Sequence, residues 1–295
     1  MPEQFCILSD DVELCYETFG DPTDPAMLLV MGLATQMVGW HHEFCEQLAE
    51  RGLHVIRFDN RDIGRSKSQN YPVPTLKQLI LRDKRAAGYT LEHMADDGFG
   101  LLDHLGIERA HVAGVSMGGM IAQTMAARRP DRVLSLASML SNTGALWSGQ
   151  PSPRLYPVLL KPPPKDRAGY IEHAIWVFSK IGSADYSRED LREMAAMSYD
   201  RGLNPAGSMR QLAAIIASGD RTPLLRAIVA PTVVIHGTKD KLVPPSGGRA
   251  TARAIPGARL VLIEGMGHDL PRSAWPRMLD ALVDNAARAG EPLAA

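Results

Sequence analysis

The chain has little cysteine, no excess of either charge and no long apolar run, and each scarcity narrows what it can be. Cys6, Cys15 and Cys45 are its only cysteines, and no two form a C-x-x-C pair. They read as free thiols in a reducing compartment, since three make no disulfide scaffold. Lys plus Arg number 32 against 33 for Asp plus Glu, a net charge of −1. That balance leaves no electrostatic footprint for nucleic acid or an anionic membrane surface. No apolar run approaches the ~20 residues of a spanning helix. The opening Met1-Pro2-Glu3-Gln4 lacks a basic stretch leading into an apolar core. The expectation is a cytoplasmic protein with no nucleic-acid partner and no membrane span. Also missing are a G-x-x-x-x-G-K-[ST] phosphate loop and a G-x-G-x-x-G after a strand. The histidines show no metal-ligand spacing. No cofactor and no metal are therefore expected.

What is present is a chain of 295 residues, 45% hydrophobic, long enough to bury an ample core. Apolar runs at residues 12–19, 26–31, 54–58, 111–115, 133–140, 232–236 and 260–263 read as strands. Helical patterns at 40–51, 89–105 and 119–129 alternate with them. Repeated strand–helix units predict an α/β fold with a mainly parallel sheet covered on both faces. Residues 142–230 interrupt the alternation. This stretch begins with a Pro-rich segment (151–164) that cannot continue a helix or a central strand. Helical patterns follow at 170–180, 188–199 and 205–218. The predicted organisation is a core of residues 1–141 and 231–295 with a helical cap, 142–230, over the sheet edge. A smaller excursion covers 68–88, and a short low-complexity fringe lies near Gly290-Glu291-Pro292.

The most informative pattern is Gly114-Val115-Ser116-Met117-Gly118, a G-x-S-x-G between a predicted strand and a predicted helix. In that context it reads as a nucleophile elbow: a strained turn that exposes a serine, with glycines where β-carbons would collide. A serine hydroxyl needs a base to take its proton during attack. His268, in the glycine-flanked loop Gly265-Met266-Gly267-His268, is the candidate base. Asp240, in the loop after the 232–236 strand, is the candidate acid that orients it. Ionic intermediates of acyl transfer also need two N–H donors. The Met117 N–H is one candidate, at a helix N-terminus. The Leu33 N–H is the other, with Gly32 giving the backbone room to turn.

Several other residues carry weaker signals. Asp269 is a minor alternative acid, and His236 reads as structural. His41-His42 opens a helix as a surface or pocket-rim pair. The run Asp59-Asn60-Arg61-Asp62-Ile63-Gly64-Arg65-Ser66 alternates charges and reads as an internally hydrogen-bonded loop. Met31, Gly32, Met139, Leu140, Trp147 and Met266 fall near the sheet edge and are candidates for an apolar, adaptable pocket wall.

Taken together, Leu29-Val30-Met31-Gly32, the Asp59–Ser66 loop, Gly114-Val115-Ser116-Met117-Gly118-Gly119, His236-Gly237-Thr238-Lys239-Asp240 and Gly265-Met266-Gly267-His268 resemble the α/β-hydrolase superfamily. Within it the chain is most similar to aclacinomycin methylesterase-like and mycobacterial lipase/esterase-like carboxylic ester hydrolases. The likeness covers residues 10–140 and 230–285. It implies an eight-stranded sheet with the cap inserted after the sixth strand. It also implies nucleophile Ser116, acid Asp240, base His268 and oxyanion donors Leu33 and Met117. Where many relatives have a histidine before the oxyanion glycine, this chain has Met31. The expected activity is hydrolysis of small to medium apolar carboxylic esters, with the ester as the small-molecule partner. Two alternatives share the pattern: a carbon–carbon hydrolase or perhydrolase with the same triad, and a ligand-binding homologue without hydrolysis.

Overall fold

The structure, a computed structural model, describes residues 2–8 and 12–290. The expected C-terminal fringe lies outside the described residues from Glu291 onward. Among the described residues eight strands are found: β1 (Gln4–Ile7), β2 (Glu13–Phe19), β3 (Ala26–Val30), β4 (His54–Phe58), β5 (Ala110–Val115), β6 (Val133–Met139), β7 (Thr232–Gly237) and β8 (Arg259–Ile263). They form one sheet in the order β1-β2-β4-β3-β5-β6-β7-β8. β2 runs antiparallel to β1 and β4, and all later neighbours are parallel. β1 was not foreseen: it is a four-residue edge strand in which only Cys6 is buried. The three cysteines are free and buried.

Successive side chains of a strand face opposite ways, so the central strands feed two cores. Leu28 and Val30 of β3 join Ile56, Phe58 and Val112 on one face. Helices α3 (Leu91–His104) and α4 (Met117–Arg128) cover that face with Met94, Leu101, Met120 and Ile121. Met27 and Leu29 turn to the other face with Val55, Val233 and Ile235. There α1 (His42–Ala49) and α11 (Trp275–Ala287) supply Phe44, Leu48, Met278 and Leu279. The remaining helices are α2 (Leu76–Ile80), α5 (Tyr156–Leu159), α6 (Arg167–Ile181), α7 (Arg188–Arg201), α8 (Pro205–Ser218), α9 (Thr222–Leu225) and α10 (Pro245–Ala254). Of these, α5 to α9 lie in the insert between β6 and β7. The short α5 forms inside the Pro-rich segment because its proline stands in the first turn, where no helical N–H is lost.

The loop after β4 is hydrogen-bonded within itself as expected, with Ser66 Oγ donating to the Asp59 carbonyl (2.6 Å) and the Ser66 N–H to that of Ile63 (3.1 Å). Its charged side chains also reach into the insert. Asp59, fully buried, accepts the Met37 N–H (2.7 Å), the Arg65 N–H (3.0 Å) and two contacts from Arg201 at the end of α7 (2.8 and 3.2 Å). Asp62 takes a bidentate pair from Arg210 of α8 (2.7 and 3.0 Å), and Arg61 makes one to Asp97 of α3 (both 2.6 Å). Planar guanidinium groups suit such paired contacts.

Burial pushes the Asp62 carboxyl up, but Arg210, Ser68 and Tyr89 outweigh it and hold the group below the ordinary 3.8. A lowered folded-state value means the pairing contributes in full above 3.8 and is lost as pH falls through the lower folded value. We expect Asp62→Asn to cost stability at pH 7 and to narrow the difference in urea midpoint between pH 7 and pH 3. Equal acid sensitivity in the variant and the wild type would show that Asp62 is not a source of it.

Candidate active site

Parallel strands bring their carboxyl ends to one edge. The chain departs from β3 to β4 on one side and continues at β5 on the other, leaving a switch point between β3 and β5. Ser116 follows β5 at that point. Val30 and Gly114 are in register, so Gly32 lies level with Ser116.

Ser116 has φ of 57° and ψ of −118°, a strained conformation for a residue with a side chain. Its surroundings hold it there. The Ser116 N–H donates to the Met139 carbonyl (2.8 Å), and Ser141 Oγ donates to the Ser116 carbonyl (2.8 Å). A β-carbon on Gly114 would lie 2.1 Å from the Gly118 carbonyl oxygen, and one on Gly118 would lie 2.1 Å from that of Val30. The glycines therefore allow the elbow to close and α4 to press against the end of β3. That contact puts residues 31–33 beside the serine: a β-carbon on Gly32 would be 3.2 Å from Ser116 Cβ and 3.8 Å from its Oγ. The first N–H groups of a helix have no partner within it. Among the described residues, the Met117 and Leu33 N–H groups have no hydrogen bond.

Asp240 and His268 meet from the loops after β7 and β8. His268 Nδ1 lies 2.7 Å from Asp240 Oδ2. Asp240 Oδ1 accepts the N–H groups of Leu242 (2.9 Å) and Val243 (2.8 Å). Burial pushes this carboxyl up, yet His268 and the neighbouring His236 outweigh it and hold it below its ordinary value. His236, fully buried, sets its Nε2 2.7 Å from the Val243 carbonyl and 3.5 Å from Asp240 Oδ2. It supports the acid loop from behind.

Asp269 is engaged elsewhere. Its Oδ1 accepts the N–H (3.0 Å) and hydroxyl (2.6 Å) of Ser183, just after α6. Burial raises its carboxyl above the ordinary value, against the Ser183 hydrogen bonds that lower it. Ser183 Oγ accepts the Gly267 N–H (2.9 Å), and the His268 N–H donates to the Ile181 carbonyl (2.8 Å). The insert thus grips the histidine loop.

Met31, Met139, Leu140 and Met266 are all buried in the cluster on the α1–α11 face. Trp147, expected at the pocket wall, is 96% exposed. Asn142 Nδ2 donates to the Gly149 carbonyl (2.9 Å), and the Gly149 N–H donates to Ser246 Oγ (3.1 Å). These bonds close residues 142–149 into a separate loop whose tip carries Trp147 into solvent. His41 stands at the start of α1 against the ring of Trp275, with His42 next to Glu46.

Residues 25–271 match the family model described as alpha/beta hydrolase fold. The chain belongs to the α/β-hydrolase family. This α/β-hydrolase is 30% identical over 288 residues to rhodomycin D methylesterase DauP of Streptomyces sp. (strain C5), covering 90% of the chain and 92% of the relative. It is 29% identical to a putative non-heme haloperoxidase of Mycobacterium phage D29, over 86% and 84% of the two chains. Among solved structures, the enol-lactonase of Burkholderia xenovorans LB400 superimposes with a TM-score of 0.72 at 26% identity, covering 97% and 99%. The resemblance read from the motifs and the eight-stranded fold it implied are both borne out, and the protein is a hydrolase.

The motifs gave no sign of Arg201, Arg210, Gln211 or Ser183. Each stands in helical or loop sequence of ordinary composition, and only the fold brings it to the site.

Glycine contacts give a direct check. Gly118→Ala meets backbone at 2.1 Å, whereas Gly257→Ala has open space and only its φ of 69° to contend with. Gly257→Ala should cost ~1–2 kcal/mol. Gly118→Ala should reach or exceed the ~1–3 kcal/mol of overpacking. Urea midpoints in the reverse order would contradict this account of the elbow.

Proposed function

We propose that this hydrolase cleaves carboxylic esters through an acyl-enzyme on Ser116, with His268 as base and Asp240 as acid. The observation that carries the reading is the buried Asp240–His268 pair at the same sheet edge as the strained serine. Ser116 Oγ attacks the ester carbonyl carbon while His268 takes its proton. The resulting oxyanion is received by the N–H groups of Leu33 and Met117, each worth roughly 10²–10³ in rate. The tetrahedral intermediate collapses, and His268 returns the proton to the departing alcohol. A water then attacks the acyl group as His268 accepts its proton, and the acid leaves. Asp240, ionised and held by two backbone N–H groups, keeps His268 oriented and stabilises its protonated form.

In this reading residues 142–230 act as a cap over a core of 1–141 and 231–295. The favoured substrate is a small to medium apolar ester. Met31, Gly32, Met139, Leu140 and Met266 would line or back its pocket, and Trp147 has no part in it. The named methylesterase and enol-lactonase relatives support ester chemistry. The haloperoxidase relative favours a second activity at the same site, in which hydrogen peroxide replaces water and the acyl group leaves as a peracid.

We expect Ser116→Ala to lower turnover of p-nitrophenyl esters, acetate to palmitate, by several decades without loss of fold. Retained turnover would exclude this mechanism. His268→Ala should lower turnover by a comparable factor. Retained turnover in that variant would remove His268 from its role. Peracid formation from acetate and peroxide, measured alongside, decides the second activity.

A further inference from the structure

Gln211 lies in α8 with no exposed surface. A buried primary amide needs partners for both ends. Its Oε1 accepts the Ala34 N–H at 3.0 Å, and its Nε2 donates to the Arg61 carbonyl at 2.9 Å. Arg61 is itself fixed by the bidentate pair to Asp97, so one end of the amide is referenced to the rigid core.

The other end holds a conformation that would not persist unaided. Ala34 has φ of 58°, in the left-handed region that costs an alanine ~1–2 kcal/mol. Ala34 is exposed, and the turn around it is otherwise closed by a long Thr35 N–H to Gly32 carbonyl bond (3.3 Å). The Leu33 carbonyl and the Ala34 N–H share one peptide plane. Both ends of that plane are pinned: the carbonyl accepts from Thr35 Oγ1 (3.1 Å), and the N–H donates to Gln211. The next plane, joined at the Leu33 α-carbon, carries the Leu33 N–H.

We infer that Gln211 is a positioning residue that aims the Leu33 N–H at the developing oxyanion, so that a helix of the insert completes the oxyanion loop of the core. The role rests on the proposed function above, in which Leu33 is a donor. An oxyanion donor acts in the transition state more than in substrate binding, so its misplacement lowers kcat and leaves KM.

The test compares wild type, Gln211→Met, Gln211→Glu, Thr35→Val and Ser116→Ala on the best p-nitrophenyl ester. A second probe is an alkyl trifluoromethyl ketone, whose carbonyl carbon bonds Ser116 Oγ as His268 takes the hydroxyl proton and the carbonyl oxygen becomes an oxyanion. Gln211→Met should lose about 10- to 100-fold in kcat, within the worth of one donor. Its KM should stay within threefold, and its affinity for the ketone should fall in parallel. Gln211→Glu keeps the acceptor for Ala34 but sets an oxygen without a donor against the Arg61 carbonyl, so it should share the kcat loss of Gln211→Met. Thr35→Val unpins the other end of the plane without touching α8, and should lower kcat several-fold at constant KM. This variant carries the test if Gln211→Met does not fold. A kcat within twofold of wild type in Gln211→Met, or in Thr35→Val where that variant carries the test, overturns the role. So does a kcat loss with unchanged ketone affinity. Ser116→Ala separates the two ideas: full activity there defeats the proposed function, whereas its inactivity beside a normal Gln211→Met defeats only the positioning role.

Discussion

A carboxylate sealed from water is expensive unless every lone pair has a donor. Asp59 meets that demand with donors from three separate parts of the chain: Met37 after β3, Arg65 in its own loop, and Arg201 at the end of α7. Gly64 is shaped around it, since a β-carbon there would sit 2.3 Å from Asp59 Oδ2. The charge therefore ties the loop carrying Leu33, the strand beneath it and the insert above it into one body. Removing one partner of such a group usually destabilises more than the pair itself contributes, because the remaining charge has nowhere to go. The edge that carries the candidate site is built on this constraint: Asn60 Nδ2 bonds the Met31 carbonyl at 2.8 Å, and Gln211 spans from Arg61 to Ala34.

The insert contacts the site through short, directional bonds at both flanks. On one side Gln211 and Gln36 join α7 and α8 to the loop after β3, with Gln36 Nε2 donating to the carbonyls of Ser198 and Gly202 at 2.8 Å each. On the other, Ile181 and Ser183 hold the loop of His268. Exposed ion pairs add a third link, with Arg272 between Asp190 of α7 and Glu43 of α1, though pairs of that kind contribute little. The buried bonds give the insert a part in setting site geometry that a loosely hinged covering would not have.

The sheet was legible because parallel strands buried on both faces appear as uninterrupted apolar runs, as in 26–31 and 232–236. β1 escaped because an edge strand of four residues buries one side chain and leaves no such run. The strained turn at Ser116 and the meeting of Asp240 with His268 were legible because such features force glycines, strand ends and loop positions onto the nearby sequence. Trp147 was misplaced because its type suggests a pocket, while two hydrogen bonds of its own loop decide where it points. The charge alternation of the Asp59–Ser66 loop could be seen, but not its partners. Arg201 and Arg210 stand some 140 residues further on, and a surface-like arginine in a helix gives no hint that it will be buried.

The two ends of the insert are zipped together. The Arg221 N–H bonds the Thr143 carbonyl at 2.8 Å, Arg221 Nη2 bonds that of Asn142 at 2.8 Å, and Gly144 packs against Gly219. Geometrically, a foreign segment could be spliced between residues 143 and 220 without disturbing the register of β6 and β7. Such a graft would arrive without Ser183, Arg201, Arg210 and Gln211. It would leave Asp59 and Asp62 stripped of countercharge and the loops of Leu33 and His268 unbraced. The joint invites exchange of the segment, and the buried contacts forbid it. Change that preserves these buried contacts falls on the outward faces of α6 and α7, where side chains meet solvent and exposed ion pairs such as Arg167–Asp200.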